Sequence, residues 1–584
     1  MPSMNRLFFV LLLAFLSLLP GCAALSPGGP VTTTVQSSPA VNSVSGIDQQ
    51  QADLPLLELD GTTLFRLLTA DLAVQRQQFD LAASIYLMVA KETLDPRLAE
   101  QATRLALFSQ RDEDALEGAR LWLSLVPESR AGREAIISAY IRSGEGLAVQ
   151  EHLEYLLENA GDDLEPVFSL IVSLLQHAQD PRLAFKVMQQ LVERYADNAD
   201  AQFAFSYTAL HARELGVARD AIEKALDIRP HWLKSMKLYA EVIRMQGHPF
   251  EAAVYLAGLV KEFPDDVSVR LSYARLLVTN RQLNEALQQY LWVVDKEPYN
   301  EDALFVTAMV SLQLNELDHS RASLQRLVDM GRRLDVAHFY LGQIAELRNE
   351  GDIAIDHYAE VSAGEHFVDS KMRMVGLLAR RGDLLLARGY LDKMREQVPA
   401  QLNRFDVMEG KILEQDGQLE EAFAVYTVAL ERAPDDKSLL YSQALLAERM
   451  GQYELSEETF LRILALDPDN VSALNALGFS LADRSTRYQE AYDYLQRAID
   501  LRPHSAAILD SMGWVLYRLG RLDESLEYLR RSLDIKQDQE VAAHLGEVLW
   551  MRGEHNAARA VWQQALERAP DDKLILDVMK RFEQ

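Results

Sequence analysis

Proline returns every 34 residues from position 230 onward, and no other feature of this chain restricts its fold as much. Steps of 34 from Pro230 land on Pro264, Pro298, Pro434, Pro468 and Pro570, while Pro399 and Pro503 lie one residue from a step. With 19 prolines in 584 residues, ten random slots would catch about 0.3 of a proline, so the spacing marks an internal repeat. Within one period, 403–436 reads NRFDVMEGKILEQDGQLEEAFAVYTVALERAPDD. Counting Asn403 as position 1, Gly410 stands at 8, Gly417 at 15, Ala422 at 20, Tyr426 at 24, Ala429 at 27 and Pro434 at 32. Apolar and small residues recur at three- and four-residue spacing in each half. This predicts two amphipathic helices, separated at Gly417 and stopped at Pro434. Small residues at 8, 20 and 27 let the helices approach, and Tyr426 fills the space between them.

The same pattern recurs along the chain. Gly342, Gly478, Gly513 and Gly546 repeat position 8, and Ala218/Ala225, Ala491/Ala498 and Ala558/Ala565 repeat positions 20 and 27. Toward the amino terminus the pattern weakens but keeps phase, as at Ala184 and Leu191. Between about 96 and 161 the hairpins read as helical with an open register. The pattern resembles the tetratricopeptide repeat, and the resemblance implies an all-α superhelical solenoid. Residues 63–572 hold fifteen periods, which leaves no room for a separate catalytic domain. The expected layout is divergent hairpins at 61–198, regular repeats at 199–572 and a capping helix at 573–584.

The first 60 residues lie outside the repeat. Arg6 precedes a 13-residue apolar run at 7–19, shorter than the ~20 residues of a membrane span but suited to a secretory signal. It ends in Leu19-Pro20-Gly21-Cys22, and Cys22 is the chain's one cysteine. The tetrad resembles the lipobox of bacterial lipoproteins, with Pro20 departing from the usual middle residue. The resemblance implies a signal at 1–21, acylation of Cys22 and, with Ala23 rather than Asp following, an outer-membrane anchor facing the periplasm. A plain secretory signal is the alternative. Residues 22–60 are rich in Ser, Thr, Pro and Gly, with no Lys or Arg between Arg6 and Arg66, so a disordered tether is expected there.

Charge and motif content narrow the function. A formal charge of −28 repels phosphate backbones, and no basic stripe opposes it, so no nucleic-acid partner is expected. One cysteine rules out an intrachain disulfide. Phosphate-loop, metalloprotease, nucleophile-elbow and dinucleotide motifs are missing, and neither enzyme activity nor a cofactor is expected. His338, His357 and His366 form the one cluster worth weighing as a metal site, and solvated or locally bonded histidines are the plainer reading. Asp435-Asp436 and Asp571-Asp572 follow slot prolines and read as helix amino-terminal caps.

In tetratricopeptide arrays the first helices line a groove at positions 2, 5, 9 and 12. Those positions nominate Phe203, Tyr207, Phe305, Met309, Phe339, Tyr441, Leu445, Phe479, Trp514, Tyr517 and Trp550 as a partner-binding surface, with burial by repeat packing as the alternative. Lys234, Lys237 and Arg244 give one first helix a basic character. Finally, residues 67–110 resemble the start of an adaptor lipoprotein that binds and activates a carboxyl-terminal processing protease, promoting degradation of cell-wall hydrolases. The resemblance implies that protease and its substrates as partners. The rival reading is an assembly or export scaffold for a pilus, a secretin or a polysaccharide.

Overall fold

The computed structural model describes residues 60–582, Gln179 excepted. The signal expected at 1–21, the tether expected at 22–60 (Asp60 apart) and the expected lipidation site Cys22 lie outside the described residues. Among those residues there are thirty-one α-helices and no strand. Thirty of them form fifteen successive hairpins, and helix Lys573–Phe582 follows the last. The fold is an all-α repeat solenoid.

The slot prolines start helices as well as stopping them. Two residues beyond Pro264, Pro298, Pro434, Pro468 and Pro570 stand Asp266, Asn300, Asp436, Asn470 and Asp572. Each accepts a backbone N–H of the next helix at 2.9–3.1 Å, from Val269, Ala303, Leu439, Ala473 and Ile575 respectively. The proline ends one helix for want of an N–H, and the Asp or Asn satisfies an orphan donor of the next. Asp436 and Asp572 are thus caps. The turn inside most hairpins is left-handed at position 15. Gly417 and Gly451 hold it at φ 84° and 76°, and Arg213 and Asn315 adopt it at 62° and 61°.

Position 8 sets the hairpin spacing. A Cβ added to Gly342 would stand 2.5 Å from the Tyr358 ring, and at Gly410 and Gly546 it would collide with Tyr426 and Trp562. These position-24 side chains are fully buried, and the hydroxyls of Tyr358 and Tyr426 donate back to Glu346 (2.5 Å) and Glu414 (2.9 Å) on the first helix. At three of the positions where serine stands at 8 or 20, its hydroxyl bonds the carbonyl across the hairpin. Ser206 donates to Ala218 (2.7 Å), Ser320 to Ala308 (2.9 Å) and Ser525 to Gly513 (2.6 Å).

The chain divides into two compact units, one ending at Ser323 and the other starting at Leu324. In the first, each second helix packs on the next first helix, from Phe79–Thr93 on Pro96–Phe108 onward. The stretch whose register was open in the sequence, 96–161, folds as hairpins with a short 3-10 segment at Gly146–Val149 before helix Gln150–Glu158. Ile137, Ile141, Leu153 and Phe168 fill its core. In the second unit, first helices also meet one another, as Val471–Arg484 meets Ala506–Arg518. Helix Lys573–Phe582 packs on Gln539–Met551 and His555–Arg568, burying Ile575 and Val578.

Two outcomes test this packing. Gly410→Ala forces its methyl into the Tyr426 ring, an overpacking expected to cost about 1–3 kcal/mol and to be read as faster amide exchange in 402–432. Removing 573–584 is expected to strip exchange protection from 506–568 before any amino-terminal hairpin loses it, because repeats depend on nearest neighbours.

Candidate partner-binding surface

The nominated side chains occupy first helices, and the structure sorts them by exposure. Phe305 and Met309 lie on helix Glu301–Gln313, whose residues from Ala303 to Ser311 are all buried. Phe339 is buried against the His366 ring, stacked at 4.1 Å and 3°. Trp514 is 8% exposed and stacked on His544 at 4.3 Å. These four are core rather than open surface. The Phe339 and Trp514 rings lie against histidines that the following helices bring over them.

The remaining seven keep solvent access. In the first unit, Phe203 is half-buried, 5.2 Å from Trp232, with the Lys234 ammonium 5.0 Å from its ring centre. The Tyr207 hydroxyl accepts from Gln176 Nε2 at 2.8 Å. Trp232 was missed in the sequence because it precedes helix Leu233–Met245 as its cap residue, off the repeat's groove positions. The three basic residues nearby are engaged: Lys234 lies 3.6 Å from Glu165, Lys237 donates to Ser268 Oγ (2.9 Å) and Arg244 to Glu241 (2.8 Å).

In the second unit, Tyr441 lies edge-on to Phe460 at 5.8 Å, and Leu445, one turn further along the same helix, is exposed. Phe479 is half-buried, 6.3 Å from His544. The Tyr517 hydroxyl donates to Glu547 (3.2 Å), and Trp550 stacks on His555 at 4.3 Å. Tyr441 also lines a cavity of about 1010 Å³ together with Arg404, Val407, Lys411, Arg432 and Lys437. The cationic side chains of this wall are largely paired, Arg404 with Asp369, Arg432 with Asp406 and Lys437 with Asp467, and Asp436 lines the cavity beside them.

A buried ionic cluster behind that cavity was also missed. Asp406 and Glu409, both nearly solvent-free, are bridged by Arg395, which donates to Asp406 at 2.8 Å and also to Glu409. Arg432 closes on Asp406 and Arg388 on Glu409 (2.7 Å). The cluster joins helix Leu384–Gln397 to the next hairpin and fixes Arg432 on the cavity wall. Its trace in the sequence is two acids at positions 4 and 7, where the next two repeats carry Leu440/Gln443 and Leu474/Leu477.

The three histidines are engaged by local partners. His338 and His357 face each other through Nδ1 atoms 3.1 Å apart, while His366 is taken up by Phe339 and lies 3.2 Å from Glu365. Burial lowers the pKa of all three. Among the described residues no group of three His, Cys, Asp or Glu side chains is placed to hold a metal. None of the helices described is long and apolar enough to cross a membrane.

Such a surface belongs to the class of helical-repeat scaffolds that hold other proteins. Comparison with known proteins places the chain within it. The tetratricopeptide repeat family matches at 171–231, 271–335, 438–470, 469–538 and 511–573. A TPR repeat-containing protein of Pseudomonas aeruginosa, PA4667, is 33% identical over 548 residues, covering 93% of this chain and 91% of that protein. The chain belongs to the tetratricopeptide repeat family. It is also 28% identical over 148 residues to the type IV pilus assembly protein PilF of Pseudomonas aeruginosa, covering 25% of this chain and 58% of that protein. Among solved structures, yeast Tom70 superposes with a TM-score of 0.32 at 14% identity, covering 90% of this chain and 96% of that one. Proteins of this fold are generally non-catalytic scaffolds for protein–protein interaction.

Two measurements probe the site. Arg395→Ala leaves two buried carboxylates short of partners and is expected to cost about 3–5 kcal/mol, seen as a lowered urea midpoint of the second unit. His544 gives a pH signature. Burial lowers its pKa, but the Asp510 hydrogen bond (3.0 Å) and the charges of Asp510, Glu540 and Glu547 outweigh this, and the pKa is raised above 6.5. Its contribution is therefore complete below pH 6.5 and lost as pH rises through the folded-state pKa. The urea midpoint followed by tryptophan fluorescence is expected to fall over that window in wild type and to stay flatter in His544→Gln.

Proposed function

We propose that this protein is an adaptor that holds a carboxyl-terminal processing protease and presents cell-wall hydrolases to it, tethered to the outer membrane through lipid on Cys22. The observation that carries the scaffold part is the solvent-accessible groove of the second unit, where Tyr441, Leu445 and the polar cavity wall offer an amphipathic surface. Aromatic faces accept varied apolar side chains, and arginine reads carboxylates, so an extended chain with mixed character would fit. The protease is supported by the likeness of 67–110 to the start of such adaptors. In this reading the divergent hairpins at 61–198 hold the protease and the repeats at 199–572 hold the substrate.

The test is a purified mixture of this protein, a carboxyl-terminal processing protease and a cell-wall hydrolase. Intact protein is expected to accelerate hydrolase cleavage. Deleting 63–198 is expected to abolish protease binding, whereas Tyr441→Ala with Leu445→Ala spares it and slows cleavage, each anchor costing at least ~2 kcal/mol, or roughly thirtyfold. No acceleration by intact protein overturns the adaptor reading. The similarity to PilF favours a second reading, an assembly scaffold, whose mark is co-purification with pilus or secretin subunits. The anchor is tested separately: Cys22→Ser is expected to release the protein from outer-membrane fractions, and retention there rules out lipidation as the anchor.

A further inference from the structure

Helix Pro249–Glu262 has two apolar faces, and the hairpin array uses one of them. Ala252, Ala253, Leu256 and Leu259 are buried within the first unit. On the opposite side, four residues apart, stand Phe250, 66% exposed, Val254, 74% exposed, and Gly258, also exposed. Residues at this spacing form one ridge along a helix. A Cβ added to Gly258 would meet nothing within 4 Å. Glycine inside a helix costs about 1 kcal/mol relative to alanine, and nothing in the chain's own packing crowds this one.

The other repeats supply the comparison. Counted from the turn glycine Gly247 at position 15, Phe250, Val254 and Gly258 stand at 18, 22 and 26. The same row is Glu454, Glu458 and Arg462 after Gly451, and Asp523, Glu527 and Arg531 after Gly520. No other second helix from 215 onward carries a large apolar side chain at both 18 and 22. An exposed apolar row confined to one repeat marks a contact surface rather than a property of the fold. Glu251 and Lys261 flank it. Both are exposed, and neither is in an ion pair among the described residues.

We propose that this row pairs with the same row of a second copy of the chain, the two helices antiparallel about a two-fold axis at Val254. Phe250 and Gly258 each lie about 6 Å along the helix from Val254, so the axis sets the ring of one copy over the glycine of the other. The open space at Gly258 admits that ring. The surface is self-complementary, as a two-fold contact requires. Charge fits the same pairing. Side chains lean toward the amino terminus of their own helix. In an antiparallel pair, Lys261 of one copy and Glu251 of the other therefore lean toward each other, twice over. A parallel pairing sets Phe250 on Phe250 and Glu251 on Glu251. A contact of one helix on one helix falls below the ~1,200 Å² of a stable interface, so the dimer is weak and depends on concentration. The inference stands independently of the protease reading.

The experiment is sedimentation velocity on the purified full-length chain from about 1 to 100 μM, with Cys22→Ser throughout so that neither lipid nor a second thiol contributes. The sedimentation coefficient is expected to rise with concentration. Val254→Arg is expected to weaken association by about thirtyfold, and Glu251→Lys to weaken it as well. Glu251→Lys with Lys261→Glu is expected to restore it, which a folding defect would not do. Val254→Cys is expected to join two copies through a disulfide on mild oxidation, because the axis sets the two side chains face to face. Asp220→Cys, in the same row of the preceding repeat, is expected not to. A chain that stays monomeric over the whole range overturns the proposal and leaves the row to a different protein. Self-association that survives Val254→Arg, or that does not follow the charge exchange, equally overturns it.

Discussion

Everything in this molecule depends on how closely the two helices of a hairpin can approach at position 8. Glycine there admits a large side chain from position 24: Leu495 at Gly478, Leu529 at Gly513, Trp562 at Gly546, and at Gly410 the ring of Tyr426, whose hydroxyl is anchored on Glu414. A closer approach would leave no room for that side chain, and a wider one would leave a void. The constraint repeats with small variations: serine at 8 or 20 replaces part of the ring's role with a hydrogen bond across the hairpin. Because each hairpin meets this condition by itself, the array grows by adding like units, and its stability is the sum of hairpins and the contacts between neighbours.

The charge distribution follows from the same architecture. With 87 acidic residues against 59 basic ones, the basic ones are spent between repeats. Arg449 reaches Glu414, Arg381 reaches Asp352, and Arg487 reaches Glu457, each across about one repeat. Exposed pairs of this kind contribute about 0–1 kcal/mol each, so they set register more than they stabilise. The buried Asp406–Glu409–Arg395 cluster differs, because charges without water need all of their partners. It lies behind the cavity wall and holds Arg432 in place, coupling the packing of one hairpin to the shape of the groove at the next.

The groove itself is narrower than the repeat register alone implies. Large residues at position 9 were expected to face a partner, yet Met309 and Trp514 are enclosed. Aromatic groups at position 5 divide in the same way, with Phe339 under His366 and Tyr441 open to a cavity. What remains for a partner is a set of separate accessible stretches in each unit, half-buried aromatics with basic neighbours, rather than one continuous apolar trough.

Local rules were legible in the sequence because they act within one period. Helix starts follow from the Asp pairs after the slot prolines, the turn from Gly417, the close approach from Gly410 and Ala422, and the fifteen-hairpin count from the 34-residue spacing alone. Even the irregular stretch at 96–161 was readable as helical, though not its 3-10 turn at Gly146–Val149, where the pattern supplies no repeat neighbour to compare. Exposure was not legible, because it depends on residues about one repeat away. Nothing near Trp514 in sequence announces His544 thirty positions later, and nothing near Asp406 announces that Arg395 and Arg432 converge on it from two other helices. The sequence alone determined the unit, its caps and its number. The tertiary structure decided which side chains of each unit meet water, since that is settled by the neighbouring hairpin and not by the hairpin itself.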